Sequence, residues 1–196
     1  MGAALARRGA VGGAKAGVSG RIILASTSPQ RRAILEQLRI PFEVVAPDYE
    51  ESPGGDPVEH AAGKARSVDG GGRPVLGVDT IVLCAGDVIG KPRDLADAGQ
   101  MLETLSGQTH EVVSGLCLRT AEWEDLASET TRVTFRELTA RDRTRYLESG
   151  EWEGRAGAYA IQGFGAGLVE RIDGDYLNVV GLPGALLLRL LATRFG

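Results

Sequence analysis

The sequence predicts an α/β fold. Short apolar runs typical of buried strands alternate with longer segments that have helical caps and helical periodicity, which is the pattern of α/β domains. A tight turn at residues 85–87 joins two strand-like runs, so the sheet also has an antiparallel part. The chain has 196 residues, of which 43% are hydrophobic and 24% charged, and this composition suits one domain with its own core.

The N-terminal half begins with an apolar run, 21–25, that predicts a buried strand. A helix over 30–39 follows, because Pro29 suits the first helical turn and Ser28 is a natural N-cap. The other elements predicted in this half are, in order, a strand over 42–45, a loop over 48–57, a helix over 57–68, a loop over 70–72, a strand over 75–83, a short return strand over 88–89 and a helix over 95–105.

The C-terminal half continues the alternation of strands and helices. Thr139 opens an amphipathic segment, which predicts a helix over 139–149. The other elements predicted here are strands over 110–118 and 130–135, a Gly-rich stretch over 157–167, a strand over 168–172, a strand over 175–181 and a terminal helix over 182–195.

Residues 1–20 differ in composition from the rest of the chain. They are rich in Ala and Gly, contain no acidic residue and lack an apolar segment. We expect a flexible N-terminal extension, followed by a single domain over 21–196. A cleaved transit peptide is the alternative for the extension, because the segment is basic.

Overall charge and hydropathy exclude some function classes. The formal net charge is −4, which argues against broad binding to nucleic acid, so an anionic ligand must meet a local cluster of positive charge. No apolar run approaches the roughly 18 residues of a membrane span. Cys84 and Cys117 lie within apolar runs, and we interpret them as buried thiols of a reducing compartment, which indicates the cytoplasm. A homodimer stays open as the oligomeric state.

The first chemical motif is the strand–turn–helix junction at residues 26–32. A helix N-terminus presents unpaired N–H groups and a partial positive charge. The hydroxyls of Ser26 and Ser28 add hydrogen-bond donors, and Arg31 and Arg32 add fixed charge. Together these groups predict a phosphate site. The alternative is a capped helix with solvated arginines.

Two further motifs carry charge at defined positions. Asp79 lies within a run that otherwise predicts a buried strand, so its carboxylate must be paired, bind a metal or lie at a strand end. A turn cap is the structural alternative. Lys91 lies between Gly90 and Pro92, in a chain that uses Arg far more often than Lys, and this indicates a compact point charge.

The fourth motif is the Gly-rich stretch around Gln162. Close glycines let a ligand approach the backbone, and the Gln162 amide offers both a donor and an acceptor, which suits the edge of a nucleobase. A plain loop is the alternative. His60 and His110 are not needed for this chemistry, and we interpret both as structural or surface residues.

These stretches resemble the Maf family of nucleotide pyrophosphatases, also called septum-formation-inhibitor-like proteins. They occur in the order found in the family and together cover nearly everything after residue 20. The matching stretches are SxSPxRR at 26–32, GVDT at 77–80, GKPRD at 90–94, LSGQTH at 105–110, AYAIQG at 158–163 and VVGLP at 179–183.

The resemblance implies an α/β fold of the inosine-triphosphate-pyrophosphatase type, with a long mixed sheet and a cleft between two lobes. It also implies that the chain hydrolyses a nucleoside triphosphate to the monophosphate and pyrophosphate with a divalent cation, Mg²⁺ or Mn²⁺. The family's catalytic aspartate corresponds to Asp79, a metal ligand together with Glu51. The substrate-binding positions implied by the resemblance are Arg31, Thr80 and Gln162 for selection and Lys64 and Lys91 for phosphate.

Within the family, the AYxIQG stretch resembles the branch that acts on dTTP and UTP. A 7-methyl-GTP pyrophosphatase is one alternative, and a nucleotide-binding regulator of cell division without turnover is another. No GxxxxGK[ST] run exists, which excludes a P-loop NTPase. Two departures from the family pattern stand out: Gln30 replaces an arginine, and Gly63 precedes Lys64 where the family often has Glu, so a partner for the metal or the lysine is expected to be missing.

Overall fold

The computed structural model describes residues 21–52 and 54–196, and the predicted extension, 1–20, lies outside this part. In the described residues, seven strands form one mixed sheet, accompanied by six α-helices and two 3₁₀ turns, which confirms the α/β prediction. The strands are β1 (Ile22–Ala25), β2 (Phe42–Val45), β3 (Val75–Cys84), β4 (Asp87–Ile89), β5 (Thr109–Arg119), β6 (Glu124–Phe135) and β7 (Val169–Asp173). The helices are α1 (Pro29–Gln37), α2 (Pro57–Arg66), α3 (Leu95–Leu105), α4 (Ala140–Leu147), α5 (Tyr176–Val180) and α6 (Gly184–Phe195), and the 3₁₀ turns span Ala156–Ala158 and Gly163–Leu168.

The sheet changes from parallel to antiparallel at β3. The strand order is β2-β1-β3-β5-β6-β7, with β4 also paired to β3. On one edge of β3, parallel pairing with β1 ends at Gly77 and antiparallel pairing with β4 begins at Val82. Residues 78–81 therefore have no described partner strand on this edge. Side chains from both faces of the sheet can meet at this gap.

Helix α2 lies unusually close to the sheet. A Cβ at Gly77 would overlap the carbonyl oxygen of Ala61, and one at Gly115 would overlap the carbonyl of Pro57. The alanines of α2 that face the sheet are fully buried. Small residues on both surfaces thus let the backbones approach, which brings the longer side chains of α2 within reach of β3.

Two apolar clusters lie on one face of β3 and β5, with a polar pair between them. Val78 and Leu116 belong to one cluster, and Val82 and Val112 belong to the other. The strand register places Thr80 opposite Ser114 between these pairs, and their hydroxyl oxygens are 2.8 Å apart. The core is therefore divided into two lobes by a polar strip in the middle of the sheet, as the predicted cleft requires.

Two predicted elements differ from the structure. The strand predicted over 130–135 begins at Glu124, because it pairs along the full length of β5. The strand predicted over 175–181 is wrong, since Tyr176–Val180 is a short helix. The Asp175 carboxylate caps this helix by accepting the N–H of Leu177 at 2.8 Å, and this local bond prevails over the strand preference of the two valines.

The two cysteines and the helices agree with the sequence in their burial and length. Cys84 and Cys117 are both buried and free, as predicted. Burial raises the pKa of Cys117 to about 12, so this thiol is not a nucleophile at neutral pH. None of the helices in the described ranges combines the length and the apolar character needed to cross a membrane.

Candidate active site

A cavity of about 380 Å³ opens between the two lobes at the gap in β3. This volume lies in the range of small-molecule sites. The cavity brings together eight residues that the sequence had indicated: Ser26, Ser28, Arg31, Glu51, Lys64, Thr80, Lys91 and Gln162. The C-terminal segment 179–181 and the turn 154–156 also contribute to the lining.

The turn between β1 and α1 forms one wall. Ser28 is the N-cap of α1, and its hydroxyl accepts the N–H of Arg31 at 3.5 Å. The Ser28 hydroxyl also donates to Gln30 at 3.1 Å, so the residue that replaces the family's arginine braces the turn without adding charge. Arg32 is exposed and does not line the cavity, so only one of the two predicted arginines contributes to it.

Arg31 ties the floor of the cavity together. Its guanidinium donates to the Ser26 hydroxyl at 3.2 Å, the Gly181 carbonyl at 3.0 Å and the Thr80 hydroxyl at 3.4 Å. Burial lowers the pKa of Arg31, and the carboxylates of Asp79 and Glu51 oppose that shift. A guanidinium remains protonated at neutral pH, so the floor carries a fixed positive charge.

Asp79 lies behind Lys64 and does not itself line the cavity. The Lys64 ammonium lies 2.6 Å from Asp79 Oδ1 and 2.5 Å from Glu51 Oε1, and it donates to the Val78 carbonyl at 3.4 Å. Val78 belongs to the stretch 78–81, which has no described partner strand on one edge of β3. Lys64 therefore has two carboxylate partners, Glu51 and Asp79. These replace the carboxylate that Gly63 cannot provide.

His60 belongs to this cluster, although the sequence had indicated a structural or surface role. It lies one turn before Lys64 on α2, is buried, and places Nδ1 3.4 Å from Asp79 Oδ2. Its other ring nitrogen, Nε2, is 3.1 Å from the Ser52 hydroxyl. Donor atoms of Glu51, His60 and Asp79 all lie within 4.8 Å of one another. Two carboxylates and an imidazole are donors that divalent cations accept, so these residues fit a metal ion.

Gly63 leaves room for an aromatic ring. A Cβ at this position would overlap the ring of Tyr49, which also lies edge-on to His60 with a centroid separation of 5.9 Å. Tyr49 is two residues before Glu51 in a segment without regular secondary structure. The departure from the family pattern at Gly63 thus allows Tyr49 to pack on α2 and to hold the segment that carries Glu51.

The opposite lobe contributes Lys91 and Gln162. The Gly90 carbonyl accepts the N–H of Gly157 at 3.0 Å, which fixes the turn before Lys91 to the segment that leads to Gln162. Both side chains are exposed to the cavity, and neither forms an ion pair or side-chain hydrogen bond with the described residues. Their functional groups are available to a ligand.

His110 supports this lobe from inside the core. Its Nε2 is 2.9 Å from the hydroxyl of Tyr159, and the ring packs edge-on against Phe135. Burial lowers the pKa of His110 to about 4 and raises the pKa of Tyr159, so both groups are neutral at physiological pH. The structural role predicted for His110 agrees with these contacts.

Three residues of the cluster were not predicted from the sequence: His60, Ser52 and Tyr49. The spacing of His60 and Lys64, four residues apart on a predicted helix, was a usable signal, because such residues share a helix face. Ser52 and Tyr49 lie in a predicted loop, where no periodicity indicates which side chain points inward.

The family described as Maf-like protein matches residues 21–194. A protein from Citrifermentans bemidjiense named dTTP/UTP pyrophosphatase is 46% identical over 172 residues, which are 83% of this chain and 89% of that protein. A Deinococcus radiodurans protein with the same name is 44% identical over 179 residues, covering 87% of this chain and 91% of its own length.

Among solved structures, the Staphylococcus aureus Ham1 protein is similar over 59% of this chain and 72% of its own chain, with 14% identity and a TM-score of 0.42. The sequence comparisons span nearly the whole described region, and that region contains every motif quoted above. The match over residues 21–194 and the identities of 44% and 46% show that the chain belongs to the Maf-like protein family.

Proposed function

We propose that this protein hydrolyses dTTP and UTP to the nucleoside monophosphate and pyrophosphate. The observation that carries the proposal is the meeting, in one cavity, of a cationic helix N-terminus, the Glu51–Lys64 pair with Asp79 directly behind it, and the Gln162 loop. The relatives named dTTP/UTP pyrophosphatase support the same activity.

The triphosphate would lie along the wall formed by the β1–α1 turn. Ser26 and Ser28 supply hydroxyls, the first turn of α1 supplies backbone N–H groups, and Arg31 supplies fixed charge beneath them. Lys91 approaches from the other lobe and can neutralise the outer phosphates. Lys64 already holds two carboxylates, so it can exchange one of them for a phosphate oxygen without leaving the site.

A divalent cation would be held by Glu51, His60 and Asp79. When bound, the cation neutralises phosphate charge and polarises the bond to be cleaved. Asp79 has a second task in this proposal: once Lys64 has exchanged it for a phosphate oxygen, the Asp79 carboxylate can accept a proton from the water molecule that attacks the α-phosphorus. Lys64 and His60 orient that carboxylate by contacting one oxygen each.

Base selection would depend on Gln162. Its amide can donate to a carbonyl and accept from a ring N–H, the pattern shown by uracil and thymine but not by cytosine. Cytosine presents the reversed pattern, so this selection requires that the Gln162 amide be held in one orientation when the base binds; the wrong base then leaves polar groups unpaired and binds poorly. Arg31 and Thr80 support this choice by fixing the floor on which the nucleotide rests.

The test is a pyrophosphate-release assay with dTTP, UTP, CTP and 7-methyl-GTP. We expect dTTP and UTP to have the highest kcat/KM, EDTA to abolish turnover, and Mg²⁺ or Mn²⁺ to restore it. A preference for 7-methyl-GTP would contradict the pyrimidine assignment and leave the pyrophosphatase activity standing. Tight nucleotide binding without turnover of any substrate would favour a regulatory protein and overturn the enzymatic proposal.

A further inference from the structure

The loop that presents Gln162 is closed at its base. A Cβ at Gly165 would overlap the carbonyl oxygen of Ala160, so the two arms of the loop are in backbone contact. Gln162 lies at the tip between them, exposed to the cavity. Its side chain forms no hydrogen bond within the described part of the chain, so its position depends on how the two arms are held.

The Glu151 side chain holds the arm of the loop that follows Gln162. The carboxylate of Glu151 accepts the N–H of Phe164 at 3.0 Å through Oε1 and the N–H of Gly165 at 3.1 Å through Oε2. These groups belong to the first turn of the 3₁₀ segment that begins directly after Gln162, where backbone N–H groups lack partners of their own. Hydrogen bonds to a carboxylate are among the stronger ones in proteins.

The arm that precedes Gln162 is held by Tyr146, which lies five residues before Glu151. The buried hydroxyl of Tyr146 accepts the N–H of Ala160 at 3.0 Å. Burial raises the pKa of Tyr146 to about 12, so the hydroxyl stays neutral at physiological pH. The Glu151 N–H in turn donates to the Ser149 hydroxyl at 3.2 Å. Tyr146 on α4 and Glu151 just after it therefore grip both arms from one short stretch of chain.

We propose that Glu151, assisted by Tyr146, is a positioning residue that sets base specificity by clamping the loop of Gln162. The inference rests on the proposed role of Gln162 as the group that contacts the base. Neither Glu151 nor Tyr146 would contact the base. They fix the backbone on both sides of Gln162, and this restricts where the Gln162 amide can lie in the cavity. A loosened loop would let the amide pair with more than one base edge.

The experiment compares Glu151→Gln with a matched control, Glu153→Gln. The amide of the first variant can accept only one of the two N–H groups and turns a donor toward the other. Glu153 lies two residues further on, is exposed, and forms no side-chain hydrogen bond or ion pair with the described residues. Both variants remove one negative charge, so a difference between them reports the clamp and not the charge.

We expect Glu151→Gln to lower the ratio of kcat/KM for UTP over CTP by about tenfold, which corresponds to one lost hydrogen bond to a charged group. The loss should appear in KM for UTP, while turnover of CTP stays within about twofold of the wild type. Glu153→Gln should leave the ratio unchanged. Because both changes act through the same amide, Glu151→Gln combined with Gln162→Ala should discriminate no worse than Gln162→Ala alone.

The possible failures are distinguishable. If Gln162→Ala narrows the UTP preference and Glu151→Gln does not, the clamp is refuted and the proposed role of Gln162 stands. If neither variant changes the preference, the role of Gln162 in base selection is wrong and the clamp falls with it. Should Glu151→Gln fail to fold, Tyr146→Phe removes the acceptor for Ala160 but keeps the ring, and the same fall in the ratio is expected; an unchanged ratio there also overturns the proposal.

Discussion

The two ends of the cleft are built in different ways. At the end where we propose that the phosphates bind, called the phosphate end below, Lys64 pairs directly with Asp79 and Glu51, and the Arg31 guanidinium joins the β1–α1 turn to Thr80 of the sheet. At the end where we propose that the base binds, called the base end below, Gln162 is neutral and has no side-chain hydrogen bond or ion pair with the described residues, and the hydrogen bonds that hold it are to the backbone on either side.

The two ends should therefore respond differently to substitution. Direct ion pairs inside a partly dry site are strong but costly to break, because the remaining partner is left charged and unpaired. A clamped loop fails gradually, since each lost hydrogen bond only widens the set of positions that its tip can occupy. Substitutions at the phosphate end should therefore abolish turnover or stability, whereas those at the base end should change selectivity.

The largest effect is expected for Asp79→Asn. The amide keeps the shape of the carboxylate but loses its charge and its ability to accept a proton, so turnover should fall by roughly a hundredfold to ten-thousandfold, or about 2.7–5.5 kcal/mol. Steady-state pyrophosphate release measures the change. Asp87→Asn, at an exposed aspartate of the same hairpin, is the control and should retain activity. Near-normal turnover of a folded Asp79→Asn protein would remove Asp79 from the mechanism.

Lys64→Met tests the direct ion pairs. Removing the ammonium leaves two neighbouring carboxylates without their cation, which should lower the free energy of unfolding by about 3 kcal/mol. Mn²⁺ should raise the melting temperature of this variant more than that of the wild type, because the cation then neutralises the same two groups.

Arg66→Met provides the matched control on the same helix. Arg66 pairs with Glu124 at the surface, where one ion pair contributes no more than about 1 kcal/mol. Equal losses of unfolding free energy in Lys64→Met and Arg66→Met would contradict the expected difference between the buried and the exposed ion pair on α2. Equal stabilisation of Lys64→Met and the wild type by Mn²⁺ would argue against metal binding by Glu51 and Asp79.

Gly63→Ala tests how the phosphate end holds its loop segment. The added methyl group overlaps the ring of Tyr49, so the variant should lose about 1–3 kcal/mol of unfolding free energy. In a Tyr49→Ala background the space is open, and adding Gly63→Ala should cost little more. Urea unfolding of the single and double variants measures the coupling. If the losses of unfolding free energy in the two single variants add up in the double variant, contact with Tyr49 is not the reason that position 63 needs a glycine.

The smallest effect concerns the support of the base end. Because the pKa of His110 is about 4 in the fold and near 6.5 in an unfolded chain, the unfolded state binds more protons between these values. Stability should therefore fall as the pH is lowered through this window, by about 1 kcal/mol between pH 7 and 5.5. His110→Gln should remove that part of the pH dependence in urea unfolding. If the unfolding free energies of the wild type and His110→Gln change equally with pH, His110 is not the source of this pH dependence.

Much of the phosphate end could be predicted from the sequence. The helix start at Ser28, the hydroxyls beside it and the isolated carboxylate of Asp79 are local features, and each has a physical meaning within a few residues. The base end was predicted only at its tip, Gln162. Its clamp was not found, because Glu151 lies in a turn whose composition does not differ from that of an ordinary exposed loop.

Most strands and helices, the helix starts at Ser28 and Thr139, and the segments that carry the hydroxyls, the cations and the Asp79 carboxylate could be predicted from the sequence alone. These properties depend on hydrophobic period and on hydrogen bonds between near neighbours. Three contacts depend on tertiary packing: Lys64 lies between Asp79 and the cavity, His60 contacts Asp79, and Arg31 reaches a carbonyl 150 residues away. Such contacts follow from strand register and from the close approach of α2 to the sheet, and neither is written in any single segment of the chain.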